Sequence, residues 1–109
     1  MNFSEYQKLI AKTAIYPNQG SNLSYPALGL TGEAGEVADK VKKLIRDHGG
    51  VLTPDLKNEM VKELGDVLWY LTALALELEM NLEDVAKSNV KKLTDRKSRG
   101  VLSGDGDNR

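Results

Sequence analysis

The sequence predicts an all-α protein: a four-helix bundle-like domain of antiparallel helices that oligomerises. Three observations carry this expectation. Apolar residues recur at helical spacing almost throughout, and strand-like alternation is absent. Capping residues, prolines and glycines punctuate the chain at the ends of four such stretches. A length of 109 residues leaves room for one core only. The expected division is therefore a single domain over residues 1–100 followed by a polar C-terminal tail over 101–109.

The first helix is expected from about Glu5 to Tyr16. Ser4 and Gln7 have capping-box spacing, and Pro17 stops the helix. A polar loop, Pro17-Asn18-Gln19-Gly20-Ser21-Asn22, follows. The second helix runs from about Tyr25 to His48, with Ser24 as its cap and Pro26 in its first turn. Its apolar face is Leu30, Ala34, Val37, Val41, Leu44 and Ile45, and Gly49-Gly50 ends it. The third helix starts at the Thr53 cap with Pro54 at its first position and runs to about Glu79. At about 1.5 Å per residue it approaches 40 Å. Its wide apolar arc, from Leu56 and Met60 to Ala75 and Leu78, exceeds what so small a domain covers, which points to an oligomer. The fourth helix starts at the Asn81 cap and ends near Arg99, with Leu82, Val85, Ala86, Val90 and Leu93 inward and Gly100 closing it.

Composition excludes several functions. Fifteen basic against sixteen acidic residues give a formal net charge of -1, so nothing general attracts nucleic acid or anionic membrane. Attraction to an anionic ligand must be local. There is no cysteine, which removes disulfides, thiolate zinc sites and cysteine nucleophiles and fits a reducing compartment. The first ten residues do not resemble a signal peptide, and no stretch approaches the roughly 20 apolar residues of a membrane span. The expected location is cytoplasmic.

One near-repeat carries chemistry. The second helix reads Glu33-Ala34-Gly35-Glu36-Val37 and the third Glu63-Leu64-Gly65-Asp66-Val67. Acids at i and i+3 share a helix face, one turn apart. Antiparallel packing of the two helices sets the two pairs against each other. Four carboxylates in one cleft repel unless a cation compensates them. All-oxygen ligands on rigid helices suit Mg²⁺, with Mn²⁺ able to substitute. Gly32, Gly35 and Gly65 each cost a helix about 1 kcal/mol relative to Ala, which suggests close helix approach or space for a ligand. The same acid spacing also fits a solvated helix face. A ferritin-like di-iron site is set aside, because it needs Glu-x-x-His and the one histidine, His48, follows no Glu at that spacing.

Basic residues supply the second half. Lys40 and Lys43 follow Glu36 along the second helix. Asn89, Lys92 and Arg96 form one stripe on the fourth. Such groups bind phosphate or sugar, and they also fit a salt-bridged surface.

With these residues in place, the sequence resembles the MazG-type, all-α nucleoside triphosphate pyrophosphohydrolases, in the form of the compact bacterial and phage members. The family pattern is Glu-x-x-Glu, a spacer, then Glu-x-x-Asp. Glu33, Glu36, Glu63 and Asp66 match it in order, with 26 residues between Glu36 and Glu63. The words Gly-Leu-Thr-Gly-Glu-Ala-Gly-Glu-Val and Lys-Glu-Leu-Gly-Asp-Val-Leu-Trp-Tyr match too, as do Asn89 to Arg96 and the tail Gly104 to Arg109. The resemblance implies Mg²⁺-dependent hydrolysis of a (deoxy)nucleoside triphosphate between the α and β phosphates, to the monophosphate and pyrophosphate. It implies dimers or dimers of dimers. By position, Glu33, Glu36, Glu63 and Asp66 hold the metal; a carboxylate not fully used in coordination can then accept the proton of water, and Glu33 or Glu36, with Glu33 nearest the apolar edge, is the expected general base. Tyr70 contacts phosphate or sugar, and Asn89, Lys92 and Arg96 are phosphate or ribose contacts, from a neighbouring subunit in some arrangements. Two other functions fit the sequence: the same fold acting on a nucleoside diphosphate or a phosphoribosyl-ATP, and a non-enzymatic helical interaction module. Base preference is poorly encoded. A deoxynucleotide such as dGTP is the expectation, with Tyr25 and the Asn18–Asn22 loop as base pocket and Trp69 in the core.

Overall fold

A computed structural model describes all 109 residues and contains four helices and no strand. These are α1 (Phe3–Thr13), α2 (Ser24–His48), α3 (Pro54–Glu77) and α4 (Leu82–Ser98). No helix is long and apolar enough to cross a membrane.

Side-chain caps set most of the boundaries. Thr53 accepts a hydrogen bond from the Leu56 N–H at the start of α3, and Asn81 does the same for Asp84 at the start of α4, both as expected. At α1 the capping box is two residues earlier than expected. Asn2 accepts from the Glu5 N–H, and Glu5 reaches back to the Asn2 N–H. Gln7 does not cap its own helix; its side chain accepts the first N–H of α4, at Leu82, and ties α1 to α4. Ser24 lies inside α2 instead of capping it, and Asn22 accepts the Tyr25 N–H in its place. The left-handed Glu79 (φ 56°) follows the end of α3, two residues short of the expected boundary.

α1 also ends early, at Thr13, and Tyr16 leaves the helix to serve another contact. Its hydroxyl donates to Glu77 Oε1 at 2.5 Å, and the same carboxylate accepts the Gly20 N–H at 2.8 Å and the Asn22 N–H at 3.2 Å. Glu77 therefore pins the 17–22 loop to the end of α3. The Tyr16 hydroxyl, the Gly20 amide and the Asn22 amide hold the Glu77 pKa below its ordinary value, although partial burial opposes them. A depressed carboxylate contributes stability above the unfolded-state pKa, and that stability is lost as pH falls through the folded value. Glu77→Gln is therefore expected to lower Tm by several degrees at pH 7. It should also flatten the acid-side decline of Tm below about pH 4.5, the ordinary glutamate range. Thermal scans from pH 3 to 7 check this, and an unchanged profile would remove the loop anchor.

The buried centre is small. Only nine residues are buried, and the core is Ala14, Tyr16 and Ala73 with Trp69 packed against them. Trp69 is thus a core residue, as expected, and its Nε1–H donates to Thr13 Oγ1 at 2.9 Å. α2 packs along α3 alone, whereas α1 contacts α3 and α4. The four helices are present, but the bundle is open in one chain. Its radius of gyration is 16.8 Å, against roughly 13 Å for a compact domain of this length.

The expected apolar faces are only half-covered as a result. Leu30, Val37 and Leu44 of α2 are half-buried, but Ile45 is 65 % exposed. Val61 and Leu64 of α3 and Val90 and Leu93 of α4 are exposed too. Helical periodicity reports which residues share a face. It does not report whether the same chain supplies what covers that face.

Candidate metal centre

The antiparallel α2–α3 hairpin places Glu33 opposite Glu63 and Asp66, which lie one turn apart on α3. One carboxylate oxygen from each of the three lies within 4.8 Å of the others. Glu33 and Glu63 are half-buried and Asp66 is exposed. Glu36, on the next turn of α2, is exposed and outside this tight group, but its charge still reaches Glu33. Partial burial first, then Asp66, Glu63 and Glu36, push the Glu33 pKa above the ordinary glutamate value.

Lys40 is the cation at the cluster's edge. Its Nζ lies 3.1 Å from Glu59 Oε2 and 3.7 Å from Glu63 Oε1, so it links α2 to α3. Lys43 turns elsewhere and pairs with Asp39 at 2.6 Å on its own helix. One lysine facing Glu33, Glu36, Glu63 and Asp66 leaves a surplus of negative charge. The donor set is all carboxylate oxygen, on two rigid helices, and has the composition that hard divalent cations take. The residues therefore fit Mg²⁺ or a similar ion.

Two tyrosines approach the acids. The Tyr70 ring lies against Gly29 of α2, and a Cβ added at Gly29 would clash with Tyr70 Cε1. The Tyr70 pKa is raised by burial first, then by Tyr25 and by the charges of Glu33 and Asp66. Tyr6 of α1 is the second. Burial and the Asp66 charge raise its pKa. Tyr6 also lines an open cavity of about 460 Å³ with Phe3, Met1, Asn2 and Leu68. Sequence reasoning missed Tyr6, since nothing in a helix some 60 residues away signals its approach to Asp66.

The expected base-pocket residues are largely engaged with one another. Tyr25 stacks on Tyr16 with ring centroids 4.9 Å apart, and it lies 6.3 Å from Tyr70. Asn22 spends its side chain on Pro17 and Tyr25, and its N–H on Glu77.

The α4 stripe is not brought to the acids within one chain, because α4 makes no contact with α2. Asn89 is exposed, beside Lys92 in a shallow cavity that includes Ser88 and Met80. Lys92 and Arg96 are both engaged by the C-terminal segment. Lys92 Nζ lies 3.2 Å from Asp107 Oδ1, and Arg96 Nη2 donates to the same oxygen at 3.2 Å and to the Asp107 carbonyl at 2.6 Å.

An all-α hairpin that brings three carboxylates within 4.8 Å of one another, with a fourth one turn away, has the donor set of helical divalent-metal sites. The chain belongs to a family of that class: residues 22–101 match the model of the MazG nucleotide pyrophosphohydrolase domain, a span that holds all four acids and the α4 stripe. The expected family is therefore the family found, and nucleotide pyrophosphohydrolase chemistry with a divalent metal is its general character. The chain is also similar to the Gene 37 protein of Mycobacterium phage L5, at 47 % identity over 114 aligned positions that cover the whole of both chains. That full-length likeness to a phage protein fits the compact form of the family. No solved structure matches the chain.

Proposed function

We propose that this protein hydrolyses a (deoxy)nucleoside triphosphate at the α–β phosphate bond, releasing the monophosphate and pyrophosphate, with Mg²⁺ held by Glu33, Glu36, Glu63 and Asp66. The observation that carries this is the convergence of Glu33, Glu63 and Asp66 from facing helices, within 4.8 Å of one another, in a chain of a pyrophosphohydrolase family. When bound, the metal supplies charge neutralisation for the phosphate oxygens and eases attack by water.

The chain's own residues do the rest. Glu33 accepts the proton of the attacking water, since it stands at the half-buried edge of the cluster with an oxygen free to do so. Glu36, more exposed, is the second carboxylate suited to that role. Lys40 holds Glu63 in place and offsets part of its charge, and Lys43 serves as a phosphate contact only by leaving Asp39. Tyr70 offers its hydroxyl to the phosphates or the sugar. Asn89, Lys92 and Arg96 take the leaving pyrophosphate, contributed by α4 of a neighbouring copy. The open bundle, its exposed apolar faces and the separation of α4 from α2 support a dimer or dimer of dimers. The role is control of a nucleotide pool, in the cytoplasm of a bacterium or a phage-infected cell, with a preference for dGTP.

The test is hydrolysis of the eight standard NTPs and dNTPs at equal concentration with Mg²⁺, with products separated. Monophosphate and pyrophosphate are expected, fastest from dGTP, with loss of turnover in EDTA and recovery with Mg²⁺ or Mn²⁺. Release of inorganic phosphate and a diphosphate, or turnover that EDTA leaves untouched, would overturn the mechanism.

A further inference from the structure

The nine residues after Gly100 do not trail from the domain. Arg109 folds back on them, with its guanidinium donating to the carbonyls of Val101, Leu102 and Gly106. Arg99 donates to the Arg109 carbonyl at 2.8 Å. Left-handed Gly100, Gly104 and Gly106 allow the reversals, with φ of 71°, 115° and 80°. The result is a closed loop lying over Arg96, which is only 4 % exposed.

How the loop engages Arg96 is unusual. Nη2 donates to the carbonyls of Gly106 and Asp107 and to the Asp107 carboxylate. Nε, on the same donor edge, is buried without any partner. A guanidinium binds an oxyanion best through two parallel donors, and a buried donor without an acceptor is costly. Asp107 uses one of the two donors. It is itself 82 % exposed, and its carboxylate oxygen is shared with Lys92. The Lys92–Asp107 pair is exposed on both sides, and exposed pairs hold weakly. The loop therefore fills an anion site without satisfying it. A phosphate group, with three oxygens and more charge, can take Nε and Nη2 together and still reach Lys92.

We propose that Asp107 is an internal anion that occupies the Lys92–Arg96 pair, and that segment 101–109 is a strap which a polyphosphate ligand must displace. This rests on the assignment of Lys92 and Arg96 to phosphate contacts. It adds that the free protein keeps those contacts closed, so that ligand binding and strap docking exclude each other.

The probe is inorganic pyrophosphate without divalent metal, titrated calorimetrically onto the full chain, so that no turnover is required. Asp107→Asn is expected to bind pyrophosphate about threefold to tenfold more tightly than wild type, and Asp107→Glu to bind like wild type. In wild type, pyrophosphate should speed hydrogen exchange of the 101–109 amides, a readout that needs no variant. Equal or weaker binding by Asp107→Asn, or strap exchange that pyrophosphate leaves unchanged or slows, would overturn the proposal. Failure of nucleotide hydrolysis would leave this binding result standing, and a negative binding result would leave hydrolysis standing.

Discussion

Asp66→Asn is expected to abolish turnover while making the metal-free protein more stable. Asp66 is one of three carboxylates converging on a point. Its charge raises the pKa of Glu33, and also those of Tyr6 and Tyr70. Lys40 offsets Glu63 and not Asp66. Removing the Asp66 charge therefore relieves repulsion that nothing in the chain balances, and Tm in EDTA should rise. The same change removes a metal ligand, which costs several kcal/mol of transition-state charge stabilisation. At about 1.4 kcal/mol per tenfold, the rate falls by roughly 10³-fold. Glu63→Gln should lose activity to the same degree with a smaller gain in Tm, because it also removes one of the two carboxylates, Glu59 and Glu63, through which Lys40 links α2 to α3. Pyrophosphate release and thermal scans with and without Mg²⁺ separate the two effects. Turnover within tenfold of wild type in either variant would place the metal elsewhere. A lower metal-free Tm for Asp66→Asn would mean that Asp66 is structural.

That opposition between function and stability explains why the site was the most legible part of the sequence. Carboxylates at i and i+3 on two helices, beside apolar positions and glycines, break the ordinary rule that like charges are kept apart. The fold was legible wherever a residue signals its own local structure. Thr53-Pro54 and Asn81 cap α3 and α4 with no help from the rest of the chain. Legibility failed where partners are distant. Ser4 and Gln7 have the spacing of a cap, but Gln7 is taken by Leu82 of α4. Tyr16 continues the helical pattern of α1, but Glu77, 61 residues on, draws it out of the helix. The bond between Arg96 and Asp107 was hidden for a related reason. A stripe of Asn89, Lys92 and Arg96 suggests an open phosphate surface, and only the path of the Gly104–Arg109 backbone closes it.

The glycines give the second large expected effect. Gly32, Gly35 and Gly65 were expected to mark close helix approach or space for a ligand; a methyl group at any of them meets nothing within 4 Å in the chain, so close approach is not their role. The close approach is at Gly29, which the sequence did not single out, where the Tyr70 ring rests against the backbone. Trp69, 5.0 Å away, and Tyr25, 6.3 Å away, hem that ring in, so it cannot swing aside freely. Gly29→Ala should therefore destabilise by about 1–3 kcal/mol through overpacking, despite the gain of about 1 kcal/mol that alanine gives a helix interior. Gly32→Ala keeps only the gain, and its Tm should rise. Because Tyr70 lies beside Glu33 and Asp66, Gly29→Ala should also raise KM more than a comparable loss of stability elsewhere. Adding Tyr70→Ala to Gly29→Ala should restore part of the lost stability, since the clash is then absent and the two changes are non-additive. Denaturant unfolding of the two singles and the double measures that coupling. A Gly29→Ala protein as stable as wild type, or strictly additive energies, would mean that the ring has room to move and that Gly29 does not position Tyr70.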